Sequence, residues 1–328
     1  MCNEQDEFYM RRALALAEKG AGWVNPNPMV GAVIVKDGKI LGEGYHAAFG
    51  SWHAERNALA ACTASPAGAT LYVTLEPCCH HGKTSPCTEA ILQHQIRRVV
   101  VGAYDPNPLV QGKGIAQLKA AGVQVETGVL QKECEALNQV FFHYIKTKLP
   151  YVVMKYAMTA DGKIATVTGA SRWITGEQAR AHVQETRHRL QGIMVGIQTV
   201  LQDDPMLTCR LPHGRNPIRI ICDSCLRLPL DCRIAQTAQK VPTIIATVCQ
   251  DMAKQKALTD LGMQVMMTKA EQGRVCLPEL MQQLGAAGID SILLEGGAEL
   301  NAGALAAGIV NRVQIYLAPK LFGGSRCV

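Results

Sequence analysis

Residues 76–87 read Glu-Pro-Cys-Cys-His-His-Gly-Lys-Thr-Ser-Pro-Cys, and His53-Ala54-Glu55 lies upstream of them. One histidine and two thiolates, His53, Cys78 and Cys87, form a ligand set that leaves zinc its fourth position for water. Zinc lowers the pKa of such a water towards neutrality, and Glu55 is placed to carry protons from it to a leaving amine. The pattern therefore predicts a zinc site that deaminates a ring carbon.

Two other interpretations of this pattern stay open. A closed structural site would take Cys79, His80 or His81 as its fourth ligand. Isolated cysteines are also often merely buried, without any ligand role. Glu55 favours catalysis, because a structural site has no need of an acid two residues from a ligand.

The residues around the ligands predict helix starts. Ser85-Pro86-Cys87 is typical of an N-cap, a proline at the first helical position and a cysteine just inside. Ser51 suggests a similar helix start near His53. A helix N-terminus stabilises a thiolate, which is the form that binds zinc. We therefore expect all three ligands at strand or helix ends.

The bulk composition limits the class of protein. The 328 residues suit two domains, and 48% hydrophobic and 18% charged residues are ordinary for a soluble chain. The thirteen cysteines follow no basic, apolar leader, which favours reduced thiols or metal ligands in the cytoplasm over a disulfide framework. A net charge of +6 suits phosphorylated small molecules and is too weak to predict nucleic-acid binding. No apolar run has the length of a membrane span.

The order of elements predicts two α/β domains. A helix over residues 7–19, a hairpin at Asp37-Gly38 and repeated helix–strand units imply a mixed sheet with helices on both faces. One helix over 131–146 closes this half, because Pro150 disfavours helix just before it. The predicted domains are residues 1–146 and 147–328. Strands of the second domain are predicted near 151–157, 193–195, 218–222, 243–247, 264–267, 291–294 and 313–317.

The second half lacks Gly-x-Gly-x-x-Gly after a strand, so the usual dinucleotide fingerprint is missing. Residues 291–300 instead run from a strand through Gly296-Gly297 into a helix. That geometry would bring backbone N–H groups close to a pyrophosphate. A glycine-rich turn that binds no ligand explains these residues equally well.

Together these motifs resemble the riboflavin-biosynthesis bifunctional deaminase–reductases, whose two cysteine ligands are more widely spaced than those of other zinc cytidine deaminases. The resemblance also runs through His46 and Asp105-Pro106-Asn107-Pro108, and through residues 27–31, 155–163, 171–175 and 203–210. It implies a cytidine-deaminase-like α/β/α domain followed by a dihydrofolate-reductase-like α/β domain. It further implies one zinc per chain, NADPH, a phosphorylated pyrimidine substrate and a homo-oligomer.

The same resemblance implies roles for individual residues. Asn27, His46, His80 and Lys83 would contact the deaminase substrate, because amide and imidazole groups read ring edges and a lysine pairs with phosphate. Asp105 and Asn107 are as well explained as turn residues. Reductase substrate contacts fall on Ser171, Arg187, Leu207, Arg210 and Glu295. NADPH contacts fall on Ala157, Trp173, Thr199, Asp203, Ser224, Gly297, Ala298, Glu299, Leu300, Asn301, Ala302 and Gly303.

The implied chemistry is deamination of 2,5-diamino-6-(5-phosphoribosylamino)pyrimidin-4-one, followed by hydride transfer from NADPH that reduces the ribosyl group to ribityl. Lys155 and Asp203 are candidate proton donors. Family members continue beyond residue 328 with strand-forming sequence, so we expect the second domain to lack its usual C-terminal end and to reduce poorly. Rival interpretations are a nucleic-acid-editing deaminase and a zinc-stabilised binding module with a nucleotide-sensing domain. Only 5% of residues are aromatic, which argues against a strand-binding groove.

Overall fold

The structure is a computed structural model that describes residues 4–81, 85–166 and 174–324. The chain divides into two compact units, Met1–Thr147 and Lys148–Val328. Across the described ranges, no helix combines the length and the apolar character that a membrane crossing requires.

The described residues of the first unit form five strands and six α-helices. The strands are β1 (Gly31–Lys36), β2 (Lys39–Tyr45), β3 (Thr70–Leu75), β4 (Arg98–Ala103) and β5 (Gln124–Thr127). The helices are α1 (Glu4–Ala17), α2 (Ala54–Ala60), α3 (Cys87–Gln93), α4 (Lys113–Ala120), α5 (Gln131–Leu137) and α6 (Gln139–Thr147).

These strands form one mixed sheet in the order β2-β1-β3-β4-β5. Strand β1 pairs antiparallel with β2 and β3, and the pairs β3–β4 and β4–β5 are parallel. Alternate strand residues point to opposite faces. Ile34 and Leu71 pack with α2, α3 and α4 on one face, whereas Val33 and Tyr72 pack with α1, α5 and α6 on the other. The predicted α/β/α layering is confirmed.

The predicted hairpin joins β1 to β2. Asp37 and Gly38 have φ angles of 51° and 75°, the left-handed pair that a two-residue hairpin turn requires. The single helix predicted over 131–146 is wrong, because α5 and α6 are separated at Asn138. This side chain is 2% exposed and bonds the backbone N–H and carbonyl of Met29 at 2.8 and 2.9 Å. The interruption lets the amide reach across the fold to Met29.

The second unit contains nine strands and six helices among its described residues. The strands are β6 (Tyr151–Thr159), β7 (Gly192–Gly196), β8 (Ile218–Cys222), β9 (Thr243–Thr247), β10 (Gln264–Met267), β11 (Ala270–Glu271), β12 (Arg274–Val275), β13 (Ser291–Leu294) and β14 (Arg312–Ala318). The helices are α7 (Glu177–Arg189), α8 (Ile197–Asp203), α9 (Arg233–Gln236), α10 (Met252–Asp260), α11 (Leu277–Ala286) and α12 (Ala298–Ala306).

Seven of these strands form a parallel sheet in the order β10-β9-β8-β7-β13-β6-β14. Helices α11 and α12 cover one apolar face, and α8, α9 and α10 cover the other. The strands predicted from the sequence are present. The hairpin of β11 and β12 was not predicted, because two residues per strand show no periodicity. In a parallel sheet all carboxyl ends lie at one edge, where ligands commonly bind.

Candidate active sites

Three potential metal ligands of the first unit lie close together. The Nδ1 atom of His53 lies 3.5 Å from Sγ of Cys78 and 3.4 Å from Sγ of Cys87. The three ligand atoms all lie within 4.8 Å of one another. The backbone N–H of Cys87 also donates to Sγ of Cys78, at 3.3 Å. Within the described part of the chain, no other cluster of this kind could hold a metal ion.

Element ends position these ligands, although not through the predicted caps. Cys78 follows the end of β3, His53 is the N-cap of α2, and α3 begins at Cys87. The expected cap at Ser85 is wrong, because Pro86 is the N-cap and no side chain caps the helix. The Ser51 hydroxyl is used within its own turn, donating to the carbonyl of Ala48 at 2.7 Å. Two ligands nevertheless sit at helix N-termini, which favour negative charge.

The electrostatics of this cluster favour one thiolate. Hydrogen bonds from Cys87 and His53 lower the pKa of Cys78 to about 4, against the opposing effect of burial. The hydrogen bond to Cys78, together with burial, raises the pKa of Cys87. The same thiolate raises the pKa of His53 by hydrogen bonding. The two sulfurs therefore share one proton, and a bound cation would displace it.

Glu55 lies in the first turn of α2 and is 3% exposed. Burial raises the pKa of its carboxyl group, and the negative charge of Cys78 raises it further. The structure thus places a carboxyl group with a raised pKa beside the three ligands. A raised pKa suits a carboxyl group that must both hold and release a proton.

The donor set fits zinc in an open site. Two sulfurs and one imidazole nitrogen are ligands that zinc prefers, and three protein ligands leave one position for water. Cys79 directs its thiol towards the carbonyl of Leu109, at 3.9 Å, and Nε2 of His81 lies 3.2 Å from a carboxylate oxygen of Glu89. These contacts favour the open site over a closed one that uses Cys79 or His81.

His46 and Asn27 lie beside this cluster. The His46 ring is 2% exposed and stands edge-on to the His53 ring, with centroids 5.6 Å apart. Its Nδ1 lies 3.1 Å from the carbonyl of Trp52, which can only accept, so Nδ1 carries the proton. Its Nε2, 3.2 Å from Nδ2 of Asn27, therefore accepts from that amide. Both ring nitrogens of His46 are engaged, which leaves Asn27 as the better placed of the two to contact a ligand.

The other residues singled out in the deaminase half differ in their surroundings. Nδ1 of His80 is buried and has no hydrogen-bond partner, so it is available to a ligand. Lys83 lies outside the described residues. The Asp105 carboxylate accepts from the N–H of Asn107 at 2.8 Å, and the Asn107 amide oxygen accepts from Leu109 at 3.1 Å. These are local turn contacts of the expected kind.

In the second unit, Arg187 and Glu295 form a partly buried pair. The Nε and Nη2 atoms of Arg187 donate to the two carboxylate oxygens of Glu295 at 2.8 and 3.0 Å, and Nη1 donates to the carbonyl of Thr208. Nζ of Lys155 lies 3.9 Å from Oε2 of Glu295. The Arg187 charge lowers the pKa of Glu295 against the effect of burial. The fork of Arg187 is thus used by Glu295.

The other predicted reductase substrate contacts are less uniform. Arg210 is exposed, and its backbone N–H donates to the side chain of Gln184 at 2.9 Å. Leu207 is 4% exposed and its side chain packs in an apolar core, so a ligand could reach only its backbone. Ser171, and the predicted cofactor contact Trp173, lie outside the described residues.

Several cofactor candidates lie at the carboxyl edge of the parallel sheet. Ala157 is near the end of β6, and Ser224 follows β8 by two residues. Thr199 and Asp203 lie on α8, which follows β7 directly. All four therefore come from strand ends, or from the helix that begins at one.

The turn from β13 into α12 fits a phosphate-bearing cofactor. Gly297 is the N-cap of α12, and a Cβ built there meets nothing within 4 Å. The open helix N-terminus presents backbone N–H groups of the kind that bind a pyrophosphate. Oδ1 of Asn301 is buried without a hydrogen-bond partner, so it can accept from a ligand. These features suit the predicted NADPH run from Gly297 to Gly303.

Two side chains near the sites were missed in the sequence. Glu76 is 4% exposed and accepts backbone hydrogen bonds from residues 29 to 39 positions away. The Tyr316 ring lies under Nζ of Lys155, 5.7 Å from the centroid, and its hydroxyl is 3.0 Å from Nδ1 of His182. No local sequence pattern predicts the contacts of Tyr316 with Lys155 and His182.

Comparison with known families assigns both units. The family model of the cytidine and deoxycytidylate deaminase zinc-binding region matches residues 3–103. The model of the RibD C-terminal domain matches residues 150–328. Each match lies within the unit that carries the corresponding predicted site.

Whole-chain relatives agree. The chain is 59% identical to riboflavin biosynthesis protein RibD of Actinobacillus pleuropneumoniae, over 98% of this chain and 85% of the relative. It is 41% identical to RibD of Escherichia coli K12, over 97% and 89%.

Solved structures give the same result. The crystal structure of a diaminohydroxyphosphoribosylaminopyrimidine deaminase/5-amino-6-(5-phosphoribosylamino)uracil reductase from Thermotoga maritima matches with a TM-score of 0.89 at 39% identity, covering 99% of this chain and 89% of that one. Form 1 of Acinetobacter baumannii RibD also gives 0.89 at 39%, covering 99% and 90%. The chain belongs to the RibD family, the bifunctional deaminase–reductases of riboflavin biosynthesis, which use zinc in the deaminase and NADPH in the reductase.

Proposed function

We propose that the unit Met1–Thr147 is the deaminase and that His53, Cys78 and Cys87 hold its zinc. The observation that carries this proposal is the buried Glu55 beside three converging ligand atoms. Zinc, when bound, supplies a water that is activated for attack near neutral pH. Glu55 takes a proton from that water and delivers one to the leaving amine, so that the ring carbon gains a carbonyl oxygen and releases ammonia.

The deaminase substrate is 2,5-diamino-6-(5-phosphoribosylamino)pyrimidin-4-one. The Thermotoga maritima relative carries the corresponding name, and the side chains near the zinc cluster suit a polar ring. Asn27 has an amide beside the cluster, and Nδ1 of His80 is buried without a partner. Lys83 is proposed to pair with the substrate phosphate.

The unit Lys148–Val328 is the reductase. Residues at the carboxyl edge of the sheet would hold NADPH, and the backbone N–H groups at the N-terminus of α12 would bind its pyrophosphate. The cofactor supplies the hydride that reduces the ribosyl group to ribityl. Arg187 holds Glu295 at the substrate position through two hydrogen bonds, and Arg210 is the arginine proposed to meet the phosphate. Lys155, 3.9 Å from Glu295, is the proposed proton donor, with Asp203 as the alternative.

Turnover of the free nucleotide tests both halves. Without NADPH, the purified chain should release one ammonia per pyrimidine and stop at the aminouracil. Added NADPH should then be oxidised in proportion to the aminouracil formed. Release of ammonia from single-stranded DNA, with none from the nucleotide, would favour an editing deaminase. Binding of the nucleotide without any turnover would favour a sensing module.

We further propose a cytoplasmic, self-associating enzyme. Eleven cysteines among the described residues are free thiols, which suits a reducing compartment. Self-association is what the resemblance to the family implies. Sedimentation velocity across a range of concentrations would show whether a monomer or an oligomer predominates.

A further inference from the structure

Glu76 is a buried carboxylate that binds the start of a helix. It lies one residue after β3 and two before Cys78, and it is 4% exposed. Its Oε2 accepts from the N–H of Gly112 at 2.9 Å, and its Oε1 accepts from Ile115 at 3.2 Å. A longer bond, 3.4 Å, comes from the N–H of Asp105. The carboxylate thus satisfies amides at the N-terminus of α4, where negative charge is favoured.

The backbone of α4 lies directly against the same segment. A Cβ built on Gly114 would lie 2.2 Å from the carbonyl oxygen of Pro77. No side chain larger than hydrogen fits at this helix position without a backbone shift. Glu76 and Pro77, the two residues before Cys78, are therefore both docked on the first turn of α4.

A second link joins α4 to the other cysteine ligand. The Thr88 hydroxyl, fully buried next to Cys87, donates to Oε1 of Gln117 on α4 at 3.0 Å. The backbone N–H of Thr88 donates to the carbonyl of Cys78 at 3.2 Å. Helix α4 therefore contacts the segments that carry both cysteine ligands, although it supplies no ligand itself.

We propose that Glu76 is a positioning residue of the zinc centre. By binding the first turn of α4, Glu76 holds this helix against the segments that carry Cys78 and Cys87. The inference rests on the proposed zinc site and concerns residues that the deamination step does not use. Zinc–sulfur distances tolerate little variation, about 0.2 Å. Groups that orient metal ligands from behind typically change metal affinity by roughly 10- to 100-fold when they are removed.

The test measures zinc release to a chromogenic chelator from the full-length chain at 25 °C. In Glu76, two carboxylate oxygens accept three backbone N–H groups. Glu76→Gln replaces one of these oxygens with an NH2 group, which cannot accept a hydrogen bond. Release should be roughly 10- to 100-fold faster than from the unsubstituted chain. Gln117→Ala removes only the link to Thr88 and should give a smaller acceleration.

Asp6→Asn is the matched control. Asp6 is also a buried carboxylate of the first unit, 3% exposed, and it binds Arg98 and Tyr72. Its substitution should lower the unfolding temperature without changing zinc release. If Asp6→Asn accelerates release as much as Glu76→Gln, general instability explains the effect and the proposal is overturned.

Cys87→Ser separates failure of the proposed zinc site from failure of this inference. If that variant still binds one zinc as tightly as the unsubstituted chain, the site itself is wrongly assigned. If Cys87→Ser loses zinc while Glu76→Gln releases zinc at the normal rate, only the positioning role of Glu76 is refuted. If Glu76→Gln does not fold, zinc release from Gln117→Ala is the deciding measurement. A normal release rate from that variant would overturn the proposal that α4 positions the two cysteine segments.

Discussion

At the scale of single residues, Glu55 separates a catalytic zinc site from a structural one. Glu55→Gln keeps the shape of the side chain but cannot carry a proton. We expect the variant to retain one zinc, because the ligands are untouched, and to lose deamination by roughly 10²- to 10⁴-fold. Ammonia release and metal analysis of the same preparation check this.

Cys79→Ser is the control for that experiment. Its thiol points towards the carbonyl of Leu109, so the variant should keep both its zinc and its activity. Zinc loss in Cys79→Ser would indicate a closed site. Near-normal turnover in Glu55→Gln would remove Glu55 from the proton transfer.

Asp105 provides a pH-dependent prediction. Burial raises the pKa of this carboxyl group from 3.8 to about 6. Between these values the folded state holds a proton that the unfolded state has lost, so the contribution to stability falls as pH rises from about 4 to 6. Asp105→Asn keeps an acceptor for the N–H of Asn107 and carries no charge.

The variant should therefore become more stable than the unsubstituted chain as pH rises. Each pKa unit corresponds to about 1.4 kcal/mol, so the difference gained by pH 7 is on the order of 3 kcal/mol. Chemical denaturation of both chains at pH 4 and pH 7 measures it. If the difference in unfolding free energy between the two chains is the same at both pH values, the raised pKa of Asp105 is contradicted.

The three candidate metal ligands could be proposed from the sequence, because their chemistry is local. His53, Cys78 and Cys87 are recognisable from residue type and spacing, and the structure brings them together. The role of Glu76 was not predictable in this way. Its partners lie 29 to 39 residues further along the chain, and only the folded backbone shows which N–H groups reach it.

At the scale of elements, Asn138 shows how a tertiary contact overrides helical propensity. Residues 131–146 have helical periodicity, yet the helix breaks where the buried amide bonds both backbone groups of Met29, 109 residues away. Periodicity reports the preference of a segment, and a distant backbone partner leaves no trace in it. The position of the break could not have been predicted from the segment alone.

Asn138→Ala should destabilise the first unit. It leaves the N–H and carbonyl of Met29 without partners in a partly buried setting, and such a loss typically costs about 1–3 kcal/mol for each group. The unfolding free energy of this unit should fall by about 2–4 kcal/mol. Asn138→Asp keeps an acceptor for the N–H but loses the donor, so its loss should be intermediate. Equal losses in both variants would show that the bond accepted from the Met29 N–H contributes nothing and that the amide donor accounts for the whole loss.

At the scale of the whole molecule, the sequence predicted two α/β halves but not the arrangement of the second sheet. Strand segments such as Ile218–Cys222 are recognisable as short apolar runs. The insertion of β13 between β7 and β6 is not, because the three strands are far apart in the chain. Strand order depends on packing and on crossover handedness rather than on any single segment.

The two compact units should respond to different ligands. The residues proposed to hold zinc lie in Met1–Thr147, and the features that suit NADPH lie in Lys148–Val328. A ligand that binds only the folded form stabilises the unit that holds it, by about 2.7 kcal/mol at a concentration 100 times its Kd. For a unit of this size, that corresponds to an increase in Tm of roughly 5–10 °C.

Calorimetry should therefore resolve two transitions. NADPH should raise one of them, and a zinc chelator should lower the other. In Cys87→Ser, which removes a zinc ligand, the chelator should have little further effect, while NADPH should still raise its own transition. A single cooperative transition that both reagents move would show that the units unfold together.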